Sequence, residues 1–235
     1  MLPASGLGTR HSEIMNPAED VRLWQLADSA FPTGSFAHSS GLEAAWQSGE
    51  VPDLGALRQF VFDALEQSGR SVLPLLNAAH RDRARLRELD AIADLFLTNP
   101  VANRASRAQG RAFSSTCARV WPSPAVSAVD AAVREGPGHA GPVMGAMLAA
   151  LDVPAESARL LCLYGAARGV LAAAVRLGIA GSYDAQRLQH DMISAMQAVA
   201  ERSRSLDEHD LAQTAPLLDL LQAGHDRLYS RLFQS

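Results

Sequence analysis

The sequence predicts an all-α fold, a single-domain helical bundle of about ten helices with a largely buried central helix. β-Branched residues are scarce, with 14 Val, 4 Ile and 5 Thr among 235 residues, and no stretch alternates apolar and polar side chains for long enough to make a half-buried strand. Apolar residues recur instead at three- and four-residue spacing, the period of an amphipathic helix. One segment, Val153 to Ile179, is apolar nearly all round, as expected of a helix at the centre of a bundle. A chain of this length can bury one substantial core.

The elements follow in order. After Pro52-Asp53, a helix N-cap signal, Leu54, Leu57, Phe60, Val61 and Ala64 line one face, and Gly69 is read as the stop. Leu86, Leu89, Ala93 and Phe96 repeat the pattern until Asn99-Pro100. In the central segment, Gly165, Ala166, Ala167, Gly169 and Ala172 to Ala174 allow close helix approach. Leu188, Met192, Met196 and Val199 form a further stripe after Gly181-Ser182, and Leu211, Leu218 and Leu221 another before Gly224. Two regions read as irregular: Phe31 to Ser40, and Trp121 to Gly141, where Pro and Gly cluster. No internal repeat or long linker divides the chain. The expected division is a flexible N-terminal segment over 1–18, one helical domain over 19–224 and a C-terminal partner-binding tail over 225–235.

Composition excludes several classes. A net charge of −4 with no basic, aromatic-interleaved face argues against nucleic acid. All 21 basic residues are arginine, so neither Schiff-base chemistry nor a P-loop lysine is available. Cys117 and Cys162 lack metal-ligand spacing and read as buried small apolar residues of a reducing compartment. The apolar central segment carries Arg159, Arg168 and Arg176, each costing about 2.5–3.5 kcal/mol at the middle of a bilayer. With no secretory leader pattern at the N-terminus, the expectation is a cytoplasmic protein that does not enter the membrane.

Catalytic and metal constellations are sparse. Histidines stand at positions 11, 38, 80, 139, 190, 209 and 225, with no i,i+4 metal pair. His38 and His139 lie in the irregular regions, without a neighbouring second ligand. Ser35 and Ser39 lack the strand-turn-helix setting of a serine nucleophile. Arg81, Arg83, Arg85 and Arg87 alternate, which spreads their charge around a helix as a solvated face. Arg231 differs: Tyr229 and Phe233 flank it, and accessible Tyr, Phe and Arg are the composition of a binding hot spot.

Two motifs carry a resemblance. Residues 23–45, from Leu23 through Asp28-Ser29-Ala30-Phe31-Pro32-Thr33-Gly34-Ser35-Phe36-Ala37-His38-Ser39-Ser40-Gly41-Leu42-Glu43 to Ala45, resemble the N-terminal signature of the UreF family of urease accessory proteins. Tyr229 to Ser235 is similar to that family's terminal Y-S-R-L-[FY]-x-S. Weaker similarity runs through Gly138-His139 to Pro142-Val143 and around Tyr164. One corner departs: Arg176 and Gly181 persist, but the family's Pro and Gln between and after them are replaced.

The resemblance implies a non-enzymatic, all-α scaffold without a cofactor of its own. It would bind UreD (also called UreH), recruit and regulate the GTPase UreG, dock on apo-urease and assist nickel insertion as a homodimer. It would use Pro32, Gly34, Phe36, His38, Glu43, Tyr229, Arg231, Leu232 and Phe233 for partner binding, and Tyr164 near the dimer contact. Competing readings are a general helical adaptor, and a small all-α enzyme in which His38 or His139 converges with a carboxylate such as Glu43.

Overall fold

The computed structural model describes residues 17–234, so His11 and nearly all of the expected flexible segment lie outside the described residues. Twelve α-helices and four short 3-10 turns follow one another, with no strand among the described residues. The helices are α1 (Pro17–Ala27), α2 (Leu42–Gln47), α3 (Leu54–Ser71), α4 (Leu73–Arg81), α5 (Leu86–Phe96), α6 (Pro100–Val120), α7 (Pro124–Glu135), α8 (Ala140–Ala150), α9 (Ala155–Arg176), α10 (Ser182–Asp191), α11 (Ile193–Arg202) and α12 (Pro216–Ala223).

Local chemistry explains several starts. Asp53 caps α3 by accepting from the Ala56 N–H at 2.9 Å. Asn99 caps α6, accepting from Val101 N at 3.0 Å, and Ser123 caps α7 through Val126 N at 3.2 Å. Pro100 and Pro124 occupy first-turn positions of those helices, where a missing N–H costs nothing. This corrects two expectations. Asn99-Pro100 begins a helix as well as following one, and the Pro- and Gly-rich stretch from Trp121 to Gly141 is helical over Pro124–Glu135. The arginine run also does not share one helix, because it spans the end of α4, the 3-10 turn Arg83–Arg85 and the start of α5.

Helix α8 is buried along eight of its eleven residues and packs lengthwise on α4. Contact is close enough that a Cβ on Gly145 would sit 2.2 Å from the Leu76 carbonyl oxygen. Gly69 serves a similar purpose: it lies inside α3, and a Cβ there would come within 2.5 Å of Val199. It is a contact residue between α3 and α11, not the helix stop the sequence suggested.

Helix α9 runs through the middle of the assembly and meets α1, α3, α4, α8, α10 and α11. By length and composition it is the one described helix able to cross a membrane. Ala158, Leu163, Ala167, Val170 and Ala174 are instead buried against neighbouring helices. Its other side carries Gly165 and Gly169, whose missing side chains would project into open space.

These two kinds of glycine give opposite expectations. Gly145→Ala should lower stability in urea unfolding by about 1–3 kcal/mol, because the Leu76 backbone must move. Gly165→Ala should raise stability by about 0.5–1 kcal/mol through helix propensity alone. Equal shifts in the two variants would refute this packing.

Candidate functional site

The N-terminal motif is anchored by Phe31, whose buried ring stacks on Trp121 at 5.6 Å and meets the edge of Phe113 at 6.2 Å. The Pro32 carbonyl accepts from Thr116 Oγ1 at 2.9 Å. Gly34 then turns the chain at φ 73° into the 3-10 turn Ser35–Ala37, which lifts Phe36 to 71% exposure. Beyond it His38, Ser39 and Glu43 go inward, and Glu43 is 2% exposed.

A carboxylate buried in the first turn of α2 requires donors. They come from the other end of the chain. Glu43 Oε1 accepts from the Leu232 N–H at 2.6 Å, and Oε2 from the Phe233 N–H at 3.2 Å and His225 Nε2 at 3.1 Å. His225 is completely buried, and its Nδ1 has no hydrogen-bond partner. Two further bonds lie alongside: Gln234 N donates to the Ala37 carbonyl at 2.7 Å, and Gln47 Nε2 to the Ser230 carbonyl at 3.1 Å. The tail is therefore part of the fold, and its Phe233 ring is buried.

Arg176, at the last turn of α9, closes the join. Its guanidinium lies 4.0 Å from the Phe36 ring centroid and 4.2 Å from that of Phe233, and Nη1 donates to the Phe36 carbonyl at 2.6 Å. A planar cation between two aromatic faces gains from both quadrupoles. Arg231 sits beside this join, 3.5 Å from Asp226, whose carboxylate also receives both contacts of Arg104 at 2.8 and 2.9 Å. Arg104 holds the Asp226 carboxyl below the usual carboxylate range. Tyr229 is fully exposed and Leu232 is 54% exposed.

The sequence-derived residues thus separate into two groups. Phe36, Tyr229, Arg231 and Leu232 face outward. His38, Glu43 and Phe233 are buried and shape the junction from inside. Arg176, His225 and Gln47 were missed as members. Arg176 was visible only as a persistent residue in a departing corner, and the Glu43–His225 pairing spans 182 positions, which no local pattern reveals.

The other residues considered for chemistry have structural duties. His139 is buried, with Nε2 3.0 Å from Asp94 Oδ1 and Nδ1 3.2 Å from Ser106 Oγ. Asp90 accepts from the Gly138 and His139 N–H groups, each at 2.7 Å. These contacts satisfy the start of α8. Burial pushes the Cys117 and Cys162 thiols up to about 12, so neither is a reactive thiolate. Among the described residues no group of three or more His, Cys, Asp or Glu side chains could hold a metal ion. Tyr164 is half-buried on α9 under the Arg168 guanidinium, 5.7 Å from its ring centroid. It lines a cavity of about 320 Å³ that also touches Gly165, Gly169, His38 and Ser106.

Comparison with known proteins agrees with the two-motif resemblance. The UreF family matches over residues 51–193. Urease accessory protein F of Arabidopsis thaliana is 35% identical over 218 residues, covering 90% of this chain and 91% of that protein. Urease accessory protein F of Oryza sativa subsp. indica is 34% identical, covering 89% and 83% respectively. Urease accessory protein UreF of Trichodesmium erythraeum (strain IMS101) is 30% identical, covering 92% and 97%.

Glu43→Ala strands His225 and two tail N–H groups, and should cost about 3–5 kcal/mol while exposing the tail to trypsin at Arg227 and Arg231. A tail still protected in that variant would show that other contacts hold it. Burial, and then the charge of His225, hold the His38 imidazole below its ordinary value of 6.5. The folded state therefore resists protonation of His38 more than the unfolded chain does. This contribution is complete above about pH 6.5 and is lost as pH falls below it. Urea midpoints followed from pH 8 to 5 should drop over that interval, and the drop should shrink in His38→Gln.

Proposed function

Because this chain belongs to the UreF family of urease accessory proteins, we propose that it is a scaffold that, with UreD (UreH), recruits and regulates the GTPase UreG for nickel insertion into apo-urease. It is an accessory protein and not a catalytic enzyme, and it takes part in urease maturation. Nickel is the cargo of this process rather than a resident cofactor of the chain.

The observation that carries the reading is the junction itself. Motifs from the two ends of the chain meet in one place through Glu43 and Arg176, and large apolar side chains are left outside it. Phe36 is 71% exposed, Trp46 42% and Leu232 54%, with Tyr229 standing free. Helix α12, which packs on α2, adds Leu217 at 73% and Leu220 at 68% exposure. Such residues in solvent are unfavourable unless a partner covers them. Arg231 holds Asp226 only at 3.5 Å and keeps donors for a bidentate pair with a partner's carboxylate. The buried residues act by holding this surface in shape.

Self-association would use the region around Tyr164, where Gly165 and Gly169 leave open space beside α9. Cytoplasmic location follows from the same role.

Co-expression with cognate UreD and UreG, followed by light scattering of the purified species, tests the proposal. The wild type should form a three-protein complex. Phe36→Ala and Arg231→Ala should each weaken it by about tenfold or more while leaving the chain folded. A wild type that binds neither protein would remove the scaffold reading. A full complex with both variants would leave the scaffold and relocate its surface.

A further inference from the structure

Three acid–base groups meet where the tail docks. His38, Glu43 and His225 are all buried. His225 Nε2 bonds to Glu43 Oε2 at 3.1 Å, and its Nδ1 has no hydrogen-bond partner, so Glu43 is the one carboxylate bonded to this ring. His38 lies close enough to sense the charge of His225. Asp226 follows His225 in the chain, but Arg104 of α6 holds its carboxylate at 2.8 and 2.9 Å and Arg231 stands at 3.5 Å. Arg176 of α9 stacks on Phe233 and brings a further positive charge to the junction. Across the cavity that His38 borders stand Tyr164 and Arg168 of α9 and Asp219 of α12, which accepts from Asn99 Nδ2 at 3.0 Å.

Counting charge shows what acid does here. Glu43 supplies one negative charge, and one proton added to the two neutral imidazoles balances it. A second proton leaves an excess positive charge in an enclosed site, which is strongly unfavourable. Protons reach that site, because the cavity beside His38 is also lined by the exposed Ser40 and Gln213. The tail is the part able to yield. Of residues 225–234 only His225 and Phe233 are buried. Its remaining hold is a few bonds to Glu43, Ala37 and Gln47. Helices α3, α4, α8 and α9 pack on one another without it, so freeing the tail exposes far less apolar surface than opening that frame.

We propose that the tail is a proton-operated latch: it stays docked while the His38–His225 pair carries at most one added proton, and a second proton releases it and takes apart the surface formed by Phe36, Tyr229, Arg231 and Leu232. The inference rests on the scaffold reading and adds regulation to the same surface. Burial, and then the charge of His225, hold the docked His38 imidazole below its ordinary value of 6.5. Release restores the ordinary value and takes up a proton. Docking is therefore complete above about pH 6.5 and is lost as pH falls below it.

The test follows the full chain from pH 8 to 5.5, reading the Leu232 and Phe233 amide signals by NMR and the helices by circular dichroism. Both amides should move to released positions below pH 6.5 while helix content stays constant. Over the titrating range the docked-to-released ratio should fall by up to about tenfold per pH unit. His38→Gln and His38→Asn hold the pair to one proton and should stay docked throughout. Binding of UreD and UreG should weaken between pH 7.5 and pH 5.5 by about fivefold or more in the wild type relative to either variant. Amides unchanged to pH 5.5, release at the same midpoint in the variants, helix lost in step with release, or release with no loss of binding each overturns the proposal. Should neither variant keep the wild-type spectrum at pH 8, the His38 ring signals of the wild type decide. A ring midpoint equal to that of release supports the latch, and a different one overturns it. If the wild type binds neither UreD nor UreG at pH 7.5, the scaffold reading itself fails, a result distinct from failure of the tail to release.

Discussion

The buried carboxylate of Glu43 is the constraint on which the rest of the site depends. A charge in an apolar interior is costly unless donors surround it. Here the donors are an imidazole and two backbone N–H groups, all supplied by residues 225–233. The requirement to satisfy one side chain in α2 thus ties down the course of residues 225–233. Once that course is fixed, Phe233 reaches its buried seat and Arg176 finds aromatic rings on both sides. Tyr229, Arg231 and Leu232 are left outward while the tail is pinned through Leu232 N, Phe233 N and Gln234 N. Exposed and buried members of the same motif have different tasks, and the backbone bonds decide which is which.

The helical frame provides the rigidity that such a junction needs. Close packing of α8 on α4 excludes any side chain at Gly145, so the two helices are locked at short range. Helix α9 crosses this frame and carries Arg176 at one end, where it reads the position of both chain ends at once.

The histidines illustrate how burial reassigns residue types. His139 and His225 would be natural ligands or bases in a pocket, yet each is enclosed and bonded to a carboxylate, His139 to Asp94 and His225 to Glu43. His38 lies beside His225, where burial disfavours its charged form. Polar groups bonded in such positions help to specify one arrangement of the loops.

The sequence by itself determined the helical class, the stripes of α3 and α5, and the identity of the two terminal motifs, because periodicity and motif are local properties. It misread the Pro- and Gly-rich stretch from Trp121 to Gly141 as irregular and Gly69 as a stop. Pro also suits a first helical turn and Gly also suits a tight helix crossing, and neighbours distant in sequence decide between these uses. It named Phe36 and Arg231 but placed Glu43, His38 and Phe233 beside them as equals, and it left Arg176 without a role. Only the tertiary structure separated them. The contacts concerned join residues 140 to 190 positions apart, and desolvation of Glu43, the force that organises them, exists only once the chain has closed around it.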